Sequence, residues 1–214
     1  MENKKIIGLY DYTVILTYLG LIFAFTGIIN VLNQNYVLSI LFLMLSGVCD
    51  MFDGTVASTK KRNACEKHFG IEIDSLCDLI SFGLFPSLFV FIISGKSLLA
   101  GIVGAFYVLC AVIRLAFYNV QEIDRQKLTD EKRECFLGIP VTSIAIILPC
   151  VFFVNKMFGI EKTSSYLIIL FLLAIGFICR ITIKKPKLIG KIILLIIGMF
   201  EIIGIYLLLG KFWV

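Results

Sequence analysis

The segment Tyr36–Ala57 reads YVLSILFLMLSGVCDMFDGTVA, an apolar run that carries two aspartates, Asp50 and Asp53, near its end. Its length matches the ~20 residues with which an α-helix crosses the hydrocarbon core of a bilayer. The whole chain shares this character: 59% of its 214 residues are hydrophobic, 16% are charged, and the mean hydropathy is +0.99. A soluble domain of this size cannot bury so much apolar surface. The composition predicts a membrane protein and excludes a water-soluble enzyme, a disordered chain and a nucleic-acid-binding module.

Seven apolar segments are long enough to cross a bilayer, and they predict an all-α, polytopic transmembrane helical bundle made of a single domain, residues 1–214. The segments are Tyr10–Val31, Tyr36–Ala57, Ile71–Ser94, Leu98–Val120, Pro140–Phe158, Ser165–Ile183 and Leu188–Leu209. The boundary between the last two is weakly marked, so totals of six to eight spans stay open. The short polar turns Asn33–Asn35 and Ser94–Lys96 predict two antiparallel helix hairpins.

Lys and Arg residues are distributed unevenly between alternate loops. With a cytoplasmic N-terminus, fifteen of them lie on the inner side and four on the outer side, and Arg114 lies inside a span. The inner set is Lys4, Lys5, Lys60, Lys61, Arg62, Lys67, Arg125, Lys127, Lys132, Arg133, Arg180, Lys184, Lys185, Lys187 and Lys191. The outer set is Lys96, Lys156, Lys162 and Lys211. This bias predicts a cytoplasmic N-terminus, which places the loops Ser58–Phe69 and Gln121–Leu137 together on the cytoplasmic face.

Four aspartates lie in the second and third spans, where an ionised acid at the bilayer centre costs at least ~2.5–3.5 kcal/mol. Asp50 and Asp53 are three residues apart and Asp74 and Asp78 are four apart, so each pair shares one helix face. The turn between the spans brings the two faces together. Because oxygen ligands select hard cations, the set predicts a site for Mg²⁺, Mn²⁺ or Ca²⁺.

Glycines accompany these acids. Gly54 follows Asp53 directly, and Gly70 lies four residues before Asp74 on the same helix face. A residue without a side chain lets a ligand approach the backbone closely, and beside carboxylates a phosphate ligand is favoured over simple helix packing. Three other acids, taken singly, are better explained as helix caps or ion-pair partners, namely Asp11, Glu72 and Glu201.

The acidic motifs, written in full, are Asp50–Ala57 (DMFDGTVA) and Gly70–Asp78 (GIEIDSLCD). Together they resemble the signature of the CDP-alcohol phosphatidyltransferases, D-x2-D-G-x2-A-R followed by G-x3-D-x3-D, and seven of its eight fixed positions match. The departure is Ser58, where the family has Arg, and the gap from there to Gly70 is longer than in the family. We expect a neighbouring basic residue to supply the missing charge, the candidates being Lys60, Lys61 and Arg62.

Further motifs narrow the resemblance. Asp74–Pro86 (DSLCDLISFGLFP) resembles the D-S-x-x-D-x-x-S-F-G-x-x-P run of the phosphatidylserine synthases. Arg114–Asn119 (RLAFYN) resembles their R-L-A-R-F-N segment, with Phe117 in place of the second Arg. Phe136–Pro140 (FLGIP) resembles their F-x-G-x-P. These motifs are in order along the first two thirds of the chain, whereas the last spans match only as hydrophobic helices.

The resemblance implies an enzyme of phospholipid biosynthesis in the cell membrane, with its active site facing the cytoplasm. It would transfer a phosphatidyl or archaetidyl group from CDP-diacylglycerol or CDP-archaeol to the hydroxyl group of L-serine and release CMP. The family further implies a homodimer among membrane lipids and two divalent cations, Mg²⁺ or Mn²⁺, with Ca²⁺ as a third candidate.

The resemblance also implies residue roles. The metal ligands would be Asp50, Asp53, Asp74 and Asp78, and Asp78 would also be the general base for the serine hydroxyl. The CDP-lipid would lie against Asp53, Gly54, Ala57, Lys60, Lys61, Arg62 and Gly70. The candidates for serine binding are Ser81, Arg114 and Asn119.

Alternative interpretations stay open at this point. A sister transferase that uses glycerol phosphate or inositol phosphate would call for more basic residues around the cavity, whereas the S-F-G-x-x-P run favours serine. A divalent-cation transporter would distribute its acids toward both membrane faces. Arg114 could capture the serine carboxylate or balance a nearby acid. The basic loop residues, including Arg133, could bind the diphosphate or serve only orientation and anionic headgroups.

Overall fold

The computed structural model of the protein describes residues 7–128, 135–159, 163–184 and 188–211. These residues form an all-α fold with one short two-stranded ladder. The helices are α1 (Ile15–Leu32), α2 (Tyr36–Ala57), α3 (Ala64–Asp78), α4 (Phe85–Ile93), α5 (Leu98–Leu128), α6 (Ile144–Met157), α7 (Ser164–Ile178) and α8 (Leu188–Lys211), and the strands are β1 (Cys135–Leu137) and β2 (Thr182–Lys184). Several residues of the predicted charge bias lie outside the described residues, namely Lys4, Lys5, Lys132, Arg133, Lys162, Lys185 and Lys187.

Four helical stretches are long and apolar enough to cross a membrane: Ile15–Leu32, Tyr36–Ala57, Ala64–Ile93 and Leu98–Arg125. Two shorter apolar helices cover Val141–Met157 and Ser164–Ile178. The all-α membrane architecture predicted from composition is thereby confirmed for these stretches.

Apolar side chains cover much of the outside of this bundle. On α1, Phe25 is 60% exposed and Ile22 is 58% exposed, whereas Ser39 and Ser46 on α2 are buried. Large exposed apolar faces mark a surface that another apolar phase covers. The outward faces of the bundle therefore suit contact with lipid chains.

Several helix ends differ from the span boundaries predicted from hydropathy. α1 begins at Ile15 and not at Tyr10, and α3 begins at Ala64 and not at Ile71. The other differences are that α5 continues to Leu128, α6 begins at Ile144 after a 3₁₀ turn over Val141–Ser143, α7 ends at Ile178, and α8 ends at Lys211. Hydropathy detects the apolar run, whereas at α3 a capping group sets the helix start.

The start of α3 shows this capping. The Asn63 side chain accepts a hydrogen bond from the Glu66 backbone N–H (2.8 Å), and the Glu66 carboxylate accepts one from the Asn63 N–H (3.0 Å). This reciprocal pair is a capping box. It begins the helix one and a half to two turns before the apolar run, which shortens the predicted loop Ser58–Phe69 to Ser58–Asn63.

α1 and α2 form the tight antiparallel hairpin that the turn Asn33–Asn35 predicts. Gln34 takes a left-handed conformation (φ 61°), and the Asn35 N–H donates to the Asn30 carbonyl (2.8 Å). A Cβ atom on Gly20 would lie 3.3 Å from the Cβ of Cys49. The two helices therefore pack closely at the depth where α2 carries its acids.

A π-helical turn, Leu79–Leu84, joins α3 to α4 within one continuous helical stretch. Pro86 has no N–H to donate to the carbonyl of Phe82, and a freed carbonyl inside a protein needs another donor. The buried Tyr107 hydroxyl of α5 donates to that carbonyl (2.7 Å). The S-F-G-x-x-P run thus produces a local widening of the helix that α5 stabilises.

Aromatic side chains fill the core beyond this turn. Phe89 of α4 is fully buried and contacts three rings, at centroid distances of 5.9 Å from Tyr36, 6.2 Å from Phe152 and 6.4 Å from Tyr166. All three contacts are edge-to-face, a geometry that aromatic pairs prefer. Phe89 therefore holds α2, α6 and α7 around α4.

The ladder joins the segment after α5 to the segment after α7, with Cys135 opposite Lys184. Gly138 follows β1 in a left-handed conformation (φ 77°), and its N–H donates to the Ile181 carbonyl (2.8 Å). A Cβ atom on Gly138 would lie 2.6 Å from the Phe177 carbonyl oxygen. The glycine of the FLGIP motif is therefore required by both the turn and the close backbone.

We predict that Gly138→Ala destabilises the protein more than Gly95→Ala. Gly95 is also left-handed (φ 66°) but a Cβ there would contact nothing within 4 Å, so that variant should cost only about 1 kcal/mol. The clash at Gly138 should raise the cost to about 3 kcal/mol. Thermal unfolding of both variants in detergent micelles measures the difference, and equal shifts in melting temperature would contradict this account.

Candidate functional site

The carboxyl groups of Asp50, Asp74 and Asp78 meet between α2 and α3. One carboxylate oxygen from each lies within 4.8 Å of the other two. The two helices run in opposite directions from the loop Ser58–Asn63, and by helix rise the acids lie roughly 10–20 Å along each from that loop. The structure therefore brings together the two acidic faces that the spacing predicts.

Asp53 lies one turn nearer the loop on α2. Its carboxyl group contacts that of Asp74, as the carboxyl group of Asp78 contacts that of Asp50. The Thr17 hydroxyl of α1 lies at hydrogen-bonding distance, 3.4 Å, from Asp53 Oδ2. All four predicted aspartates thus belong to one cluster, and a third helix forms part of its wall.

Three of the four aspartates, Asp50, Asp53 and Asp78, line a small cleft whose cavity volume is about 10 Å³. The lining residues are Leu16, Thr17 and Gly20 of α1, Ser46, Asp50 and Asp53 of α2, and Cys77, Asp78, Ser81 and Phe82 of the third helical stretch. The lining therefore combines hydroxyl groups and carboxylates with small or apolar side chains. A polar cleft in this apolar bundle is where a charged ligand would be held.

The two glycines of the motif have different surroundings. A Cβ atom on Gly54 would meet nothing within 4 Å, so the surface beside Asp53 is open. A Cβ atom on Gly70 would lie 2.8 Å from Arg62 Nη1. The guanidinium group therefore crosses the face of α3 that continues toward Asp74.

The three basic residues of the loop differ in what their side chains contact. Lys60 Nζ lies 2.6 Å from Asp11 Oδ2 and 3.3 Å from Glu66 Oε1, whereas Lys61 is exposed. Arg62 is the one of these three whose side chain reaches the α3 face at Gly70. Ala57, at the end of α2, is buried. The interpretation of Asp11 as an ion-pair partner is confirmed.

The three residues predicted for serine binding lie in different surroundings. Ser81 is buried and lines the cleft. Arg114 is buried on α5, with its guanidinium carbon 5.9 Å from the centre of the Tyr118 ring. Asn119 meets α3 elsewhere: its Oδ1 accepts from the Ser75 hydroxyl (2.6 Å), and its Nδ2 donates to Glu72 (3.4 Å).

Sequence reasoning missed three residues that lie beside the cluster or on the helix that carries it. Thr17 and Ser46 line the cleft, and each is an ordinary small polar residue in an apolar run. Lys191 of α8 donates to the Met51 carbonyl and to Thr55 Oγ1 (3.2 Å) on α2. The motifs give no signal for these three residues: Ser46 lies on α2 outside the motif, and helix packing brings Thr17 of α1 and Lys191 of α8 to α2.

The donor chemistry of the cluster fits a divalent cation. Every converging group is a carboxylate, and sets of hard oxygen ligands favour Mg²⁺, Mn²⁺ or Ca²⁺ over Zn²⁺. Four carboxylates at this separation repel one another strongly between packed helices. A bound cation removes that repulsion, so the cluster is a candidate metal centre.

Comparison with known proteins gives concordant matches. The family model of the CDP-alcohol phosphatidyltransferases matches residues 12–200. The chain is 32% identical to the CDP-diacylglycerol–serine O-phosphatidyltransferase of Saccharomyces cerevisiae, over 72% of this chain and 60% of that protein. It is 29% identical to the protein of the same name from Methanocaldococcus jannaschii (90% and 81%). It is 26% identical to the archaetidylserine synthase of Methanothermobacter thermautotrophicus (89% and 76%). The chain thus spans about 60% of the length of the yeast relative.

We predict that the purified protein binds Mn²⁺ and that Asp74→Asn weakens this binding by about tenfold or more, because it removes one of three converging charges. Electron paramagnetic resonance of free Mn²⁺ measures the binding. Glu72→Gln is the matched control, since Glu72 is an exposed acid on the same helix that faces Asn119. Equal weakening by both substitutions would contradict a site centred on the aspartates.

Proposed function

The chain belongs to the CDP-alcohol phosphatidyltransferase family, and from this premise we propose that it transfers a phosphatidyl or archaetidyl group from a CDP-linked lipid to L-serine. The observation that carries the proposal is the convergence of Asp50, Asp74 and Asp78 beside a cleft. A diphosphate donor needs its charge neutralised, and such a cluster suits that task through bound cations. Relatives named for serine as the acceptor support the choice of alcohol.

The donor would lie along the faces of α2 and α3 that carry Gly54 and Gly70. The open surface at Gly54 admits the CDP group beside Asp53. The guanidinium of Arg62, over Gly70, would then meet the diphosphate, since Arg binds phosphate oxygens through paired N–H groups. We therefore assign the charge that Ser58 lacks to Arg62, and not to Lys60, which is paired with two acids.

The chemistry follows from the positions of the aspartates. Divalent cations held by Asp50, Asp53, Asp74 and Asp78 would offset the charge of the diphosphate and of the departing CMP. The serine oxygen forms a bond to the phosphorus that carries the lipid, while the bond from that phosphorus to the bridging oxygen breaks. CMP leaves with the bonding electron pair, and the hydroxyl proton passes to Asp78.

The serine acceptor would enter from the side of Ser81, whose hydroxyl already lines the cleft. Arg114 is a buried cation on α5, which suits it to a carboxylate. Asn119 is hydrogen-bonded to Ser75 and Glu72 of α3. It would therefore affect serine binding indirectly, by positioning α3. The headgroup chemistry is the same for an ester-linked and an ether-linked donor.

We propose the topology of an integral membrane protein with about seven spans and a cytoplasmic N-terminus, so that the cleft faces the cytoplasm. The fifteen-to-four division of basic residues supports this orientation. A homodimer, implied by the family resemblance, stays a prediction.

An acceptor series tests the proposed reaction. We expect the protein in lipid nanodiscs to release CMP from CDP-diacylglycerol with L-serine and Mn²⁺ or Mg²⁺, and to stop when a chelator is added. Glycerol 3-phosphate and inositol 1-phosphate should release little CMP, and Asp78→Asn should bind the CDP-lipid without turnover. Faster release with either phosphorylated alcohol than with serine would identify a sister transferase, and would overturn the proposal.

We predict opposite effects of Gly54→Ala on stability and on donor binding. Alanine in place of a helical glycine stabilises by about 0.5–1 kcal/mol where the new Cβ has space, and Gly54 has that space. The same Cβ would obstruct the CDP group, so the KM for the CDP-lipid should rise. Gly101→Ala is the matched control on α5, where the Cβ makes an ordinary 3.6 Å contact with Phe91. An unchanged KM in Gly54→Ala would contradict the assigned donor surface.

A further inference from the structure

A bridge of three charged side chains ties the segment before α1 to the loop between α2 and α3. Lys60 Nζ lies between Asp11 Oδ2 (2.6 Å) and Glu66 Oε1 (3.3 Å). The three residues come from the segment before α1, the loop and the first turn of α3. We call Asp11, Lys60 and Glu66 the loop bridge.

Both acids of the loop bridge are themselves fixed. Asp11 Oδ1 accepts a hydrogen bond from the Thr13 backbone N–H (2.9 Å) and another from the Thr13 hydroxyl. The second oxygen of Glu66 accepts from the Asn63 N–H in the capping box (3.0 Å). Each carboxylate therefore presents one oxygen to Lys60 from a rigid local turn, which limits the side-chain entropy that such a pair ordinarily loses.

The pairing persists across the working range of pH. The hydrogen bond from Lys60, followed by that from Thr13, lowers the pKa of Asp11 to about 2. The hydrogen bond to Asp11 in turn raises the pKa of Lys60. The Thr59 hydroxyl lies 3.3 Å from the Tyr12 hydroxyl and adds a second link between the same two segments.

Only Lys61 and Arg62 separate Lys60 from Asn63, the residue that caps α3. The loop bridge holds the chain before Arg62, and the capping box holds the chain after it. With both flanks held, the backbone of Arg62 has fewer conformations open to it, and its guanidinium group lies over Gly70. Without the bridge, the loop and the long Arg side chain would have many conformations to lose on binding a ligand.

We propose that the loop bridge positions Arg62 for the diphosphate of the CDP-lipid. The inference rests on the proposed function, which makes Arg62 the substitute for the family arginine that Ser58 replaces. Asp11, Lys60 and Glu66 are positioning residues in this scheme, since they act on the donor only through Arg62. An arginine at position 58 would be held in place by the end of α2. Arg62 lies in the loop, and the tertiary contacts of the bridge restrain it instead.

Steady-state kinetics in nanodiscs tests the positioning role. Lys60→Met should raise the KM for the CDP-lipid about three- to fivefold, the range that a partly exposed ion pair supports. The KM for serine should stay the same, because the acceptor does not meet Arg62. Lys60→Arg, which keeps the charge and reaches both acids, should restore the KM for the donor, and Glu122→Gln, which breaks the 2.6 Å pair with Arg125 on α5, is the matched control.

A double-mutant cycle separates positioning from direct binding. In an Arg62→Ala background, Lys60→Met should have no further effect on the KM for the CDP-lipid, because the group that the bridge positions is gone. If Lys60→Met raises that KM equally with and without Arg62, Lys60 binds the donor itself and the proposal is overturned. A change in the KM for serine alone would overturn it as well.

Limited trypsin digestion gives a readout that needs no enzymatic activity. Asp11→Asn removes one side of the bridge without changing any trypsin site, so cleavage after residues 60–62 should become faster than in the wild-type protein and in Glu122→Gln. Unchanged cleavage would overturn the bridge as a restraint on the loop. Faster cleavage in a protein that releases no CMP with serine would retain the restraint and reject the proposed function, so the two failures are distinguishable.

Discussion

The repulsion among the four carboxylates between α2 and α3 is the constraint on which the rest of the structure depends. Charges of one sign interact more strongly between packed helices than in water, so a fold that gathers Asp50, Asp74 and Asp78 within 4.8 Å sacrifices stability unless a cation joins them. The surrounding helices hold α2 and α3 in register against that repulsion. The cluster is thus a feature kept for its chemistry.

Three supports hold the cluster, and each comes from a different part of the chain. α1 packs closely at Gly20 and contributes Thr17 to the wall of the cleft. Lys191 of α8 donates hydrogen bonds to the Met51 carbonyl and the Thr55 hydroxyl of α2. The π-helical turn after Asp78 is stabilised by Tyr107 of α5. A binding site in a small membrane bundle therefore depends on helices that contribute no residue to its recognised motif.

Much of the fold follows from local patterns. The turn Asn33–Asn35 and the spacing of the aspartates on their helix faces need only periodicity to predict, and both are present in the structure. Hydropathy does not predict the start of α3 at Ala64, because a capping box of polar side chains sets it. The pairing of Lys60 with Asp11 cannot be predicted from the sequence for another reason: 49 residues separate the two, and many charges compete for each partner.

The sequence by itself determined that this is a helical membrane protein, which residues carry the acid cluster and which family they belong to, because composition, helical periodicity and a long motif are local properties. Only the tertiary structure decided which basic residue reaches the face of α3. The sequence offers Lys60, Lys61 and Arg62 as substitutes for the missing arginine and does not choose among them. The fold pairs Lys60 with Asp11 and Glu66 and lays Arg62 over Gly70, and a choice of partner depends on distance, which a sequence does not contain.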